Sequence, residues 1–170
     1  MSYRIVRAGA DRIEEALPLV AAFHVEEGVE ADDAHRRRAL AALFTEPCPG
    51  AFWMIETEGG EEAGYICVAF GWSIEFGGRD GFVDEFYVAP AHRGRGAGRA
   101  ALRAVAEALA AEGLAALHLE VEDGNRAMRF YESEGFAWRQ HYHLMSAPLG
   151  ARPRGRRGAR PGAGPITPSS

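Results

Sequence analysis

The chain has 170 residues, 47% of them apolar, enough for one buried core and too few for two of comparable size. All 19 basic residues are arginine, which excludes a Schiff-base lysine and a lysine-bearing phosphate loop. The formal charge of −5 divides into −10 for the body and +5 for an arginine-rich end that carries no acid.

Two cysteines, Cys48 and Cys67, suit neither a disulfide scaffold nor a clustered metal site. The first residues lack a basic segment followed by an apolar run, so the expected setting is cytoplasmic, without membrane attachment. Residues 1–149 read as one domain. Residues 150–170, rich in Gly, Pro and Arg, read as a disordered tail that cannot bury enough surface to offset its ordering entropy. Its five arginines read as a solvated extension, and no nucleic-acid role is assigned to it.

In chain order, the pattern predicts a strand over 3–8, then a helix from about Asp11 with Ile13, Leu17 and Val20 at helical spacing and a kink at Pro18. A second helix is expected over 32–44. Extended runs follow at 51–57, 63–76 and 82–88, separated by Gly-rich turns short enough to require antiparallel pairing. After Pro90 a helix places Leu102, Val105 and Leu109 on one face, and Gly113 ends it. Leu117, Leu119 and Val121 then alternate as a strand, and a strand-helix-strand order without a hairpin makes 82–88 and 117–121 parallel. A helix over 125–134 stops at Gly135, and 136–145 returns as a last strand. The fold class is therefore α/β (α+β): a mixed sheet of six to seven strands, antiparallel first, with a parallel pair and about four helices.

Between the third extended run and its helix lies Pro90-Ala91-His92-Arg93-Gly94-Arg95-Gly96-Ala97-Gly98-Arg99. A helix start offers free N–H groups and the positive end of the dipole, glycines let the backbone approach a phosphate, and the arginines add charge that packing does not require. A dinucleotide fingerprint competes: read from Gly94 its third glycine falls on Arg99, and read from Gly96 it falls on Ala101, a tolerated substitution, with Glu120 about twenty residues on. The motif's late place, after several hairpin strands, argues against that fold.

Arg93-x-x-Gly96-x-Gly98 resembles the pyrophosphate signature of the GNAT superfamily of N-acetyltransferases. A second block, Asn125-x-Ala127-x-x-Phe130-Tyr131-x-x-x-Gly135-Phe136, resembles that family's asparagine and tyrosine segment, and the likeness spans about residues 3–147. The resemblance implies a sheet splayed between its fourth and fifth strands, with acetyl-CoA's pantetheine arm against the backbone of Phe86, Tyr87 and Val88. It also places the pyrophosphate on Arg93, Gly94, Arg95, Gly96, Ala97, Gly98 and Arg99, with Asn125 nearby.

Amine acylation needs a proton acceptor for the ammonium and a proton donor for the leaving thiol. A thiol pKa of about 8.5 against about 10 for a tyrosine makes Tyr131 a suitable donor, and by resemblance it holds the general-acid position; core packing with Phe130 and Phe136 is its other reading. Asp84, Glu85 and Glu120 are the carboxylates expected at the cleft. In a regular strand Asp84 shares a face with Phe82, Phe86 and Val88, and Glu85 with Val83 and Tyr87, so both reach one site only across a bulge. The adjacent acids resemble the pair in diamine acetyltransferases, whereas Glu120 resembles the proposed base of ribosomal-protein N-terminal acetyltransferases. Glu85 is the chosen substrate contact. Asn125 at a helix start is equally suited to capping.

His141 and His143 read as a surface pair and no metal is expected. Glu26, Glu27 and Glu30 read as a solvated acidic face, and Ser73, Glu75 and Arg79 are given no role. The expectation is an acetyl-CoA-dependent N-acetyltransferase acting on a primary amine of a small cationic molecule, with a homodimer left open. The alternatives are a protein or peptide N-terminal or lysine acetyltransferase, and a non-catalytic acyl-CoA sensor.

Overall fold

The computed structural model describes residues 2–45, 49–122, 124–125, 127–141 and 143–147; Cys48 and the tail 150–170 lie outside them. In chain order come β1 (Tyr3–Arg7), α1 (Ile13–Glu26), α2 (Asp33–Leu43), β2 (Gly50–Thr57), β3 (Glu62–Ser73), β4 (Gly78–Val88), α3 (Ala97–Ala111), β5 (Ala116–Leu119) and α4 (Ala127–Ser133). The strands form one mixed sheet in sequence order, antiparallel from β1 to β4 and parallel between β4 and β5.

This is the expected fold class, with five strands among the described residues in place of six or seven. The missing strand is the one expected over 136–145. His141 sits at φ 70, a left-handed value that interrupts an extended run. α1 continues through Pro18, where the sequence predicts a kink.

Helices cover both faces of the sheet, which is why β2 is buried along its whole length. On one face Leu17 and Val20 of α1 and Leu40 of α2 pack on Phe52, Met54, Tyr65, Cys67 and Tyr87. On the other, Leu102, Val105 and Leu109 of α3 pack on Trp53, Ile66, Val68 and Val83. Met54, Ile55 and Ile66 are 0% exposed, and full burial of each such side chain stabilises by about 1.5–3 kcal/mol. Gly64 brings β3 close to β4: a Cβ there would sit 2.1 Å from the Tyr87 carbonyl oxygen.

The buried charge in β2 is also partnered. Glu56 accepts from Arg4 Nε at 3.1 Å and Arg12 Nη2 at 2.8 Å. Burial alone would raise its pKa, but these arginine donors outweigh burial and bring it below the usual carboxylate range.

Candidate active site

Pairing between β4 and β5 runs from Asp80↔Ala116 to Val83↔Leu119 and stops there. From Asp84 onward β4 has no strand on that side among the described residues, so the sheet opens between its fourth and fifth strands. The pairing with β3 breaks at the same point: Cys67 lies opposite Glu85, and Val68 opposite Val83. Asp84 is therefore the extra residue of a β-bulge.

The bulge resets the alternation of side chains. Val83 packs on the α3 face, whereas Glu85 turns to the α1 face with Tyr87. Regular alternation would have placed Val83 with Glu85. Downstream of the bulge, the Ala89 N–H donates to the Ala63 carbonyl at 2.8 Å. Because antiparallel pairing alternates, Tyr87 directs its N–H and C=O to β3, and Phe86 and Val88 direct theirs into the opening. Phe86 and Val88 line the groove; Tyr87 is buried on the other face, with both side chain and backbone turned away.

The two acids of the bulge differ in environment. Glu85 is fixed: His24 Nε2 lies 2.8 Å from Oε1, and the Tyr65 hydroxyl donates to Oε2 at 2.7 Å. That contact and burial raise the Tyr65 pKa, burial most, so its hydroxyl stays protonated. Asp84 opens to the groove and makes no hydrogen bond among the described residues. Partial burial in the groove, and then the Glu85 charge, raise its pKa. Sequence reasoning missed His24 and Tyr65. The available signal was a histidine at a position of α1 in line with Leu17 and Val20, on the apolar face.

The glycine-arginine loop leads from a short 3₁₀ turn, Pro90–His92, into α3. Gly94 and Gly96 stand at φ 69 and 89, where a side chain would be strained, and Gly96 provides no side-chain cap. The first intrahelical bond is Ala100 N–H to Gly96 C=O at 3.0 Å, so the amides of Ala97, Gly98 and Arg99 have no helical partner. Gly98 faces Phe86, Val88 and Phe130, and a Cβ there would meet them at 3.6–3.9 Å, ordinary contact distances.

The loop's arginines divide. Arg93 donates from Nε to the Val88 carbonyl at 2.7 Å and from Nη2 to both oxygens of Glu26 at 2.7 and 2.8 Å. Arg99 and Arg103 grip Glu134 of the α4 end, each through Nε at 2.6 Å. Those two donors hold the Glu134 carboxyl below its usual range, Arg103 first. Arg93, Gly94, Gly96, Gly98 and Arg99 line the groove, whereas Arg95 points to solvent and Ala97 into the core beside Ala101.

α4 forms the opposite wall. The Tyr131 ring packs between Phe130 and Phe136 at 5.1 and 5.9 Å between centroids, as its packing reading expects, and the residue also lines the groove. Burial raises its pKa. Asn125 Oδ1 accepts from the Ala127 N–H at 2.9 Å, the capping role, while Asn125 also lines the groove. Glu120 stands exposed one residue past β5, at the groove wall. Glu27 and Glu30 line the same groove at its α1 end. Glu75 accepts from Arg139, and the Arg79 guanidinium stacks 4.0 Å over Phe70. Among the described residues no cluster of His, Cys, Asp or Glu could hold a metal ion. No helix among them is long and apolar enough to cross a membrane.

An opened mixed sheet with a glycine-arginine loop at its cleft defines an acyltransferase architecture. The family model described as the acetyltransferase (GNAT) family matches residues 17–136, and the chain belongs to that family of acyltransferase enzymes. A solved integron cassette protein from the mobile metagenome of Cole Harbour Salt Marsh is similar at 32% identity, with 87% of this chain and 91% of that one covered and a TM-score of 0.75. An aminoglycoside acetyltransferase from an uncultured soil metagenomic sample shares the fold at 20% identity, TM-score 0.69, over 88% of this chain and 100% of that one. A ribosomal-protein-alanine N-acetyltransferase from Brucella melitensis biovar Abortus 2308 does so at 19%, TM-score 0.68, over the same shares. Among curated proteins, none matches. Enzymes of this family generally draw the acyl group from acetyl-CoA and act on amines of small molecules or proteins.

Proposed function

We propose that the protein transfers an acetyl group from acetyl-CoA to the primary amine of a small cationic molecule, polyamine- or aminoglycoside-like, by direct attack while both are bound. The observation that carries this reading is the bulge at Asp84, which sets two carboxylates where the open edge of β4 begins, in the groove that the glycine-arginine loop also lines. An acidic body and acids along that groove favour a cationic acceptor over a neutral or anionic one.

The residues fit the donor. The unpaired amides at the start of α3, with Arg93 and Arg99 beside them, suit a pyrophosphate. The outward N–H and C=O of Phe86 and the N–H of Val88 suit an amide-bearing arm, and Asn125 stands at the same groove. When bound, acetyl-CoA supplies an acyl group activated as a thioester. Glu85 holds the ammonium, and Asp84, with its raised pKa, takes the proton that must leave before the nitrogen can attack. Tyr131, kept protonated by burial, holds the proton that the departing thiol requires. Glu120 adds negative charge at the far wall. Residues 1–149 form the catalytic unit, acting in the cytoplasm, and the tail plays no part in it.

Thiol release from acetyl-CoA, measured against polyamines, aminoglycosides, amino acids and peptides, tests the reading. Polyamines or aminoglycosides are expected to react fastest, and Tyr131→Phe to lower kcat by about a hundredfold. Fastest release with peptides would move the acceptor to protein amines. No release with any amine, despite tight acetyl-CoA binding, would make the protein a sensor.

A further inference from the structure

His24 is buried on α1 with Ala16, Leu17 and Val20 and is 9% exposed, so both nitrogens of its ring need partners inside the protein. Nε2 is 2.8 Å from Glu85 Oε1, and Nδ1 is 3.1 Å from Arg36 Nε. An arginine N–H can only donate. Nδ1 therefore accepts, and the ring proton sits on Nε2, aimed at Glu85. Arg36 is itself 8% exposed and donates from Nη1 to Asp33 Oδ1 at 2.8 Å. On the far side of Glu85 the Tyr65 hydroxyl completes the chain. Asp33, Arg36, His24, Glu85 and Tyr65 thus connect α2, α1, β4 and β3 through successive hydrogen bonds.

We propose that His24 is a positioning residue for acyl transfer: with its tautomer set by Arg36, it and Tyr65 hold Glu85 as a fixed two-oxygen acceptor for the substrate ammonium beside the Asp84 bulge. The inference rests on the reading that Glu85 meets the amine. Its physical logic lies in what each partner leaves free. Each carboxylate oxygen spends one lone pair on a donor and keeps another, and Glu85 lines the groove. A direct arginine pair would fix the carboxylate equally well but would cancel much of its charge. Placing an imidazole between Arg36 and Glu85 transmits the orientation and leaves the negative charge for the ligand. A carboxylate held in one rotamer also loses less freedom when the amine arrives.

The test combines kinetics with nitrogen NMR of the imidazole in the full chain. With the best cationic amine of the panel, His24→Leu is expected to raise the amine KM by about tenfold or more, the cost of removing a donor from a charged acceptor. The acetyl-CoA KM should stay within about twofold. His24→Gln, whose amide can still donate, should recover most of the loss. Tyr65→Phe should show the same split, and it carries the test if His24→Leu does not fold. The wild-type spectrum should show His24 protonated at Nε2 at neutral pH. An Nδ1 proton, an unchanged amine KM, or both KM values rising together would overturn the role. A wild type that acetylates no amine while showing the Nε2 proton refutes the acceptor reading and this role with it. An active wild type whose rates ignore His24→Leu and Tyr65→Phe refutes the role alone.

Discussion

The two ends of the groove hold their charges differently. At the bulge, Glu85 is gripped by His24 and Tyr65, donors that are themselves buried, so its orientation is settled before any ligand arrives. At the loop, Arg93 and Arg99 are about half exposed and already bound to carboxylates, Glu26 and Glu134. A ligand phosphate there must replace one anion by another. The fixed part of the loop end is backbone: the amides of Ala97, Gly98 and Arg99, set by glycines at positive φ. One end is organised by side chains and the other by the chain itself.

Removing the fixed charge is expected to have the largest effect. Glu85→Gln preserves the shape, takes away the anion and offers His24 and Tyr65 one acceptor oxygen in place of two. It should lower kcat/KM for the amine by about a hundredfold or more, chiefly through the amine KM, as steady-state kinetics would show. A smaller loss at the level of an exposed acid would mean that the buried donors serve stability alone.

A second prediction separates the two acids. Asp84 carries a raised pKa, so its charged form predominates only above that value. Activity that needs it ionised is lost as pH falls through a point above the ordinary aspartate value, and retained above it. The acid limb of the kcat/KM profile should reflect this group. Asp84→Asn should abolish the limb along with most of the rate, whereas a limb that survives unchanged would assign the proton to another residue.

Much of this was legible in the sequence, for identifiable reasons. The apolar runs of β2 to β4 and the helical period of Leu102, Val105 and Leu109 reflect burial against two covering layers, and the observed bounds fall within a few residues of those predicted. The glycine-arginine loop was legible because its chemistry is local. So was the conflict at Asp84 and Glu85: a regular strand cannot aim both at one site, and the structure resolves it with a bulge. The network behind Glu85 was not legible, because His24, Arg36 and Tyr65 come from three separate elements and each passes as an ordinary helix or strand residue. Nor was the fate of 136–145, where apolar spacing suggests a strand but His141 turns the backbone.

The division of the groove is tested most directly by titrating acetyl-CoA into two variants by calorimetry. A Cβ at position 98 meets its protein neighbours at ordinary distances, so the fold accommodates Gly98→Ala, and the added methyl stands at the groove wall beside the unpaired amides of α3. Gly98→Ala is expected to weaken acetyl-CoA binding by about tenfold while Glu85→Gln leaves it unchanged. Equal weakening by both, or none by Gly98→Ala, would contradict a donor held at the loop and an acceptor held at the bulge.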